Sequence, residues 1–147
     1  MGDRRGFTLI ELLAVMVIMG VLASIGIPKM AAFKQRALQT AMISDLRHLA
    51  EAQEAFFFTY GDYAGSLGPG PEVAGTGGGG TVVLVPSDGV RITMAYRTSP
   101  GVGEGWNAIA HHDGMSDPNR DDCGIFMGST ANSPNVAVTE PGVVACW

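Results

Sequence analysis

Between Phe7 and Ile27 the chain carries one charged side chain, Glu11, in a run otherwise built of apolar and small residues. A helix of that length rises roughly 30 Å, at about 1.5 Å per residue, which matches the hydrocarbon thickness of a bilayer. A lone carboxylate inside such a span costs about 2.5–3.5 kcal/mol on insertion scales, so Glu11 calls for a partner. Arg4 and Arg5 stand just before the run, and positive charge there keeps that end cytoplasmic. An ordinary secretory signal cut near Ala23-Ser24 fits the pattern less well. The amphipathic pattern resumes without a break past Pro28, and an acid is foreign to the apolar core of such a signal.

The stretch Gly6-Phe7-Thr8-Leu9-Ile10-Glu11, preceded by a short basic leader, resembles the processing motif of the type IV filament family, the type IV pilins and type II secretion pseudopilins. The resemblance covers about the first quarter of the chain closely, and the remainder in general layout only. It implies that a prepilin peptidase cuts on the cytoplasmic side between Gly6 and Phe7, and that the new Phe7 amine is then N-methylated. It also implies that Glu11 pairs with the Phe7 amine of a neighbouring copy during assembly. Opposite charges in a low dielectric attract strongly, which agrees with that role. Snorkelling of Glu11 to the interface, about a turn away, is the simpler alternative before assembly.

Gly20, Ser24 and Gly26 place small residues in the run, and Gly20-xxx-Ser24 would let helices approach closely. Pro28 lacks an amide donor and clashes with the preceding turn, so a kink is expected there. The resemblance implies further that the segment Gly20–Pro28 can melt when a filament forms. From Lys29 onward the character changes. Leu38, Met42, Leu46, Leu49, Gln53 and Phe56 recur at spacings of three and four, forming one stripe suited to packing on a sheet. Lys34, Arg36, Asp45, Arg47, Glu51 and Glu54 read as lying mostly off that stripe, with His48 beside it as a half-exposed helix residue. Gly61 then stops the helix.

The expected organisation is a leader over 1–6, a transmembrane or filament-core helix over 7–28, and an amphipathic helix over 29–60. A flexible connecting loop over 61–80 and an antiparallel sheet with a C-terminal disulfide loop over 81–147 complete it. The fold class is α+β: one long helix, apolar in its first half and amphipathic in its second, packed on a small antiparallel sheet, pilin-like. The glycine-rich end of the connection, Gly77–Gly80, lacks the Lys-Ser/Thr and following helix of a phosphate-binding loop. Strands are predicted at Thr81–Val85, Val90–Tyr96, Trp106–Ala110 and Cys123–Met127, with edge pairing from Val136–Val138 and Val143–Cys146. Pro86-Ser87-Asp88-Gly89 suits a hairpin turn joining the first two strands.

The net charge is −5, and beyond Phe58 three arginines face nine acidic residues. Nucleic acid is therefore not an expected partner, since phosphate neutralisation dominates such binding. The two cysteines, Cys123 and Cys146, suggest one disulfide in an exported domain, the alternative being two buried thiols. Ser116, His112 and Asp113 supply residue types used in nucleophilic catalysis but no nucleophile elbow, so no enzyme is expected. No cofactor is expected either. Some major pseudopilins bind calcium in a late acidic loop, so the resemblance makes Asp113, Asp117, Asp121 and Asp122 the candidate positions, although their spacing does not follow an EF-hand.

Taken with these residues, the resemblance implies a structural subunit of a type IV pilus-like filament serving adhesion, motility or a related surface task. Its expected partners are copies of itself, prepilin peptidase and the inner-membrane assembly platform. It would cross the inner membrane once before assembly and lie in an extracellular pilus or periplasmic pseudopilus afterwards. A secretion pseudopilin is the nearest alternative. A membrane-anchored minor pilin or adhesin that never polymerises is the other.

Overall fold

The computed structural model describes residues 6–65, 73–77, 80–99, 103–115 and 122–147. Residues 1–5, Pro100, Gly101, Ser116, Asp117 and Asp121 fall outside them. The chain separates into two compact units, Met1–Arg36 and Ala37–Trp147. Helix α1, Leu9–Tyr60, begins in the first and ends in the second. It is followed by β1 (Val73–Gly77), β2 (Gly80–Leu84), β3 (Val90–Ser99), β4 (Gly103–His112), β5 (Asp122–Met127), a short 3-10 turn at Thr130–Asn132, and β6 (Ala145–Cys146). This is the α+β, pilin-like arrangement expected from the sequence. The helical stop is also where expected: Gly61, at φ 75°, takes the left-handed conformation that favours glycine and donates its amide to the Phe57 carbonyl at 2.8 Å.

In the second unit β3, β4, β5 and β6 form an antiparallel meander in sequence order. Alternation along the strands places Val90, Ile92 and Met94 of β3, Trp106, Ala108 and Ala110 of β4, and Cys123 and Ile125 of β5 on one buried face. Met42, Leu46 and Leu49 of α1 complete that core. The helical stripe thus meets the sheet as its periodicity indicated. The opposite face carries Phe126, also fully buried, and is covered by the C-terminal segment. A Cβ on Gly124 would meet Pro134 and Trp147 within 3 Å, so glycine there lets that segment lie flat on the sheet. Asn107 donates to the Asn132 carbonyl at 2.8 Å, and Asn132 donates to the Met127 carbonyl at 3.2 Å.

Three expectations about the strands need correction. Thr81–Val85 does not form a hairpin with Val90–Tyr96; β2 pairs instead with β1 in a separate two-stranded sheet. Two contacts hold it there. Val82 buries against Phe56 and Ala64 in a second small core, and the Tyr60 ring occupies the space a side chain at Gly80 would need. Residues 73–77, assigned to the flexible connection, are a strand whose two glycines concealed it. Val136–Val138 makes no strand: Val138 is buried and its amide closes a turn onto the Asn135 carbonyl at 2.9 Å.

Two buried polar side chains of α1 tie the loops to the helix. Asp45 accepts the Ser87 amide at 2.7 Å and the Ser87 hydroxyl at 3.0 Å, which anchors the β2–β3 connection. Gln53 accepts the Ala64 amide at 3.0 Å and donates to the Met94 sulfur at 2.9 Å, fastening the chain after the helix. Asp45 was expected off the apolar stripe, yet it lies one helical turn from Met42 and Leu49 and is buried with them.

Leu46 has no exposed surface and lies at the centre of the helix–sheet contact. Leu46→Ala is expected to lower the unfolding free energy by about 2–5 kcal/mol, through lost transfer energy and the cavity left behind. Urea denaturation followed by the fluorescence of buried Trp106 measures it, and a change below about 1 kcal/mol would contradict this packing.

Candidate functional site

The N-terminal residues singled out in the sequence come together in one short arrangement. Gly6, Phe7 and Thr8 precede the helix, which begins at Leu9, and the Phe7 ring is almost wholly exposed. The Glu11 carboxylate turns back toward the helix start. Its Oε2 accepts the Thr8 amide at 2.9 Å and the Thr8 hydroxyl at 2.8 Å, while the Glu11 amide donates to Thr8 Oγ1 at 3.3 Å. This reciprocal pair is a capping box, with Thr8 at the N-cap and Glu11 three residues on. It answers two needs at once: donors at the helix start find acceptors, and the only acid of the apolar run finds donors. Oε1 has no partner among the described residues and remains an open acceptor. The Thr-x-x-Glu spacing ahead of an apolar run was the sequence signal for this cap.

Around that cap the described apolar side chains of the first unit stand exposed. Leu9, Ile10, Leu13, Val17, Ile18, Leu22 and Ile25 are all more than half exposed. With Leu12, Val15, Met16 and Met19, also more than half exposed, these side chains point to every side of the helix, which is the pattern of a segment surrounded by lipid or by other helices. By length and composition α1 can cross a membrane. The helix is continuous through both Gly20 and Pro28. A Cβ at Gly20 would meet nothing within 4 Å, so its small size is not used inside a single chain.

At the other end of the chain Cys123 and Cys146 form a disulfide, with Cα atoms 4.0 Å apart and directly paired across β5 and β6. It closes a loop of 23 residues' separation, which constrains the unfolded chain by about 3 kcal/mol on the entropic account. Of the calcium candidates, Asp113 and Asp122 are within the described residues, and each already faces a cationic or imidazole partner. Both Asp113 oxygens accept from Arg91, at 2.8–3.1 Å. Those hydrogen bonds hold the Asp113 carboxyl below its ordinary range. Asp122 lies 2.9 Å from His111 Nδ1, its register partner on β4. No group of three or more potential metal ligands forms among the described residues. His112 accepts the Gly114 amide on Nδ1 at 2.9 Å, which fixes its role in the turn after β4.

This N-terminal geometry is the setting for the comparisons with known proteins. Residues 1–27 match the family model described as the prokaryotic N-terminal methylation motif, so the chain carries that motif. Over 71 residues it is 44% identical to the type IV major pilin protein PilA of Myxococcus xanthus, covering 46% of this chain and 32% of PilA. Over 56 residues it is 41% identical to type II secretion system core protein G of Klebsiella pneumoniae, covering 38% of this chain and 40% of that protein. The corresponding protein of Escherichia coli is 40% identical over 53 residues, 36% of this chain and 37% of its own length. The matched stretches thus span about a third to two-fifths of these relatives. No solved structure matches the chain.

Replacing Thr8 by valine keeps the side-chain shape and removes the hydroxyl. The loss of the cap is expected to cost about 1 kcal/mol locally and to speed amide exchange at Glu11 about fivefold in micelles. Exchange by NMR at an unchanged rate would show that the cap contributes nothing.

Proposed function

We propose that the chain is a structural subunit of a type IV pilus-like filament, cut between Gly6 and Phe7, methylated at Phe7, and polymerised through its N-terminal helix. The observation that carries the reading is the fully unsheltered apolar helix, interrupted by one carboxylate whose Oε1 is open, in a chain with the methylation motif. Before assembly the helix sits in the inner membrane with its N-terminus on the cytoplasmic side. During assembly lipid contacts are exchanged for contacts with other copies. The capping box orients the Glu11 carboxylate while Oε1 accepts the Phe7 amine of the next copy, which sets axial register. The local cap also supplies the snorkelling alternative with a competitor: Glu11 has donors without reaching the interface. Gly20 and Pro28 are the positions at which the helix would yield to fit the bundle.

A pseudopilin of a type II secretion system is the second reading, favoured by the similarity to core protein G over the first part of the chain. The Cys123–Cys146 disulfide suits either location, because the periplasm and the cell exterior are both oxidising. A non-polymerising minor pilin shares the anchor and lacks the filament.

Mass spectrometry of the mature chain is expected to find Phe7 as the first residue, bearing a methyl group. An intact Met1, or a start beyond Ala23, would defeat the proposal. Glu11→Ala is expected to leave membrane insertion intact and to reduce filaments in the sheared surface fraction, seen by negative-stain microscopy, by at least about tenfold. That corresponds to about 1.4 kcal/mol in the assembly equilibrium. Filaments of normal number and length in this variant would remove Glu11 from assembly.

A further inference from the structure

Just past the apolar run, α1 carries a cluster that neither the cleavage motif nor the assembly residues use. Lys29, Lys34 and Arg36 fall within two turns and alternate with Met30 and Phe33, and no acidic residue stands between Glu11 and Asp45. Lys29, Ala32, Phe33 and Arg36 are spaced i, i+3, i+4, i+7, so they share one face, and they line a shallow groove of about 260 Å³. Phe33 is 62% exposed and Met30 70%. The charge is also on the unexpected side. Three cations follow the span and two arginines precede it, whereas the positive-inside tendency would deplete the far side.

With Phe7–Ile27 in the hydrocarbon, residues 29–36 lie at the headgroup layer and just beyond it, because a turn rises about 5.4 Å. Lysine and arginine at that depth extend their charges to phosphates while their stems lie along the acyl boundary. Phe33 lacks the polar edge of Trp and Tyr, so its ring turns to the acyl side of that layer, as apolar rings of interfacial helices do. We propose that Lys29–Arg36 is a collar that binds anionic phospholipids in the leaflet at the C-terminal end of the span. Lys29, Lys34 and Arg36 hold headgroup phosphates, and Phe33 and Met30 reach the acyl boundary between them. The charge pattern favours this occupant: from Leu12 to Ser44 the chain has cations and no acidic residue, whereas beyond Phe58 it is acidic, so attraction to an anionic surface is confined to the collar. A subunit waiting in the membrane then holds a lipid shell that assembly must strip away. The inference rests on the membrane-spanning reading of Phe7–Ile27.

The test uses the full chain with Phe33→Trp, reconstituted in phosphatidylcholine vesicles that contain a minor fraction of either brominated phosphatidylglycerol or brominated phosphatidylcholine. The chain with Phe33 intact supplies the background from Trp106 and Trp147. Phosphatidylglycerol is expected to quench the reporter at least about threefold more strongly than phosphatidylcholine. Adding Lys29→Gln, Lys34→Gln and Arg36→Gln is expected to bring the two lipids level. Equal quenching with the native charges overturns the collar and points to acidic groups of another copy as the occupant. A preference that survives the triple substitution overturns it as well. Flotation with neutral vesicles separates this failure from that of the underlying reading: a chain that does not float has no membrane span, and one that floats without lipid preference has the span and no collar.

Discussion

An apolar helical surface that faces outward on every side cannot remain in water, and the first unit is made of little else. Burial of such a surface is non-directional, so lipid tails and other apolar helices satisfy it about equally well. That equivalence would let one segment serve as an anchor in one setting and, in the proposed filament, as its core in another. What distinguishes the two states is polar. Glu11 is the one group in the run whose energy depends strongly on which neighbour it finds, because an unpartnered carboxylate in hydrocarbon costs far more than one with a partner that offsets part of its desolvation.

The capping box shows how the single chain manages that group. Thr8 gives its amide and its hydroxyl to one oxygen of Glu11, and the helix start gains a cap in the same exchange. One oxygen of the carboxylate is thereby used within four residues, and the other has no partner among the described residues. A group arranged in this way tolerates the membrane and still has an acceptor to offer. The cationic stretch from Lys29 to Arg36 stands at the opposite end of the run, so the apolar segment lies between a polar device at each end, one acidic and locally satisfied, the other basic.

The second unit solves a different problem: how to bind loops to a sheet too small to organise them alone. Its helix does so with two polar side chains, Gln53 on the packed stripe and Asp45, which the pattern of apolar and polar residues would assign to solvent. Asp45 and Gln53 are buried because their hydrogen bonds to Ser87, Ala64 and Met94 replace the water they lose. On the far face of the sheet, the absence of a side chain at Gly105 and Gly124 makes room for Asn132, Pro134 and Trp147. The disulfide then fastens the end of that segment, where it joins the sheet as β6, to the neighbouring strand β5.

Much of this was legible in the chain itself. The long helix, its change of character at Lys29, its stop at Gly61 and the cores of β3, β4 and β5 follow from periodicity and turn chemistry, which act over a few residues. The anchor and its lone acid were equally local, and so was the Thr8–Glu11 spacing, although its meaning as a cap went unread. The pairing of β2 with β1 was not legible, because Val73–Gly77 has too few side chains to announce a strand and pairs through its backbone. Nor was the burial of Asp45, which depends on a serine forty-two residues away. The sequence by itself determined where the apolar surface lies and where its single charge sits, since both are properties of neighbouring residues. Only the tertiary structure decided which strand joins which sheet and which polar side chains go inside, because those choices turn on hydrogen-bond partners brought together from distant parts of the chain.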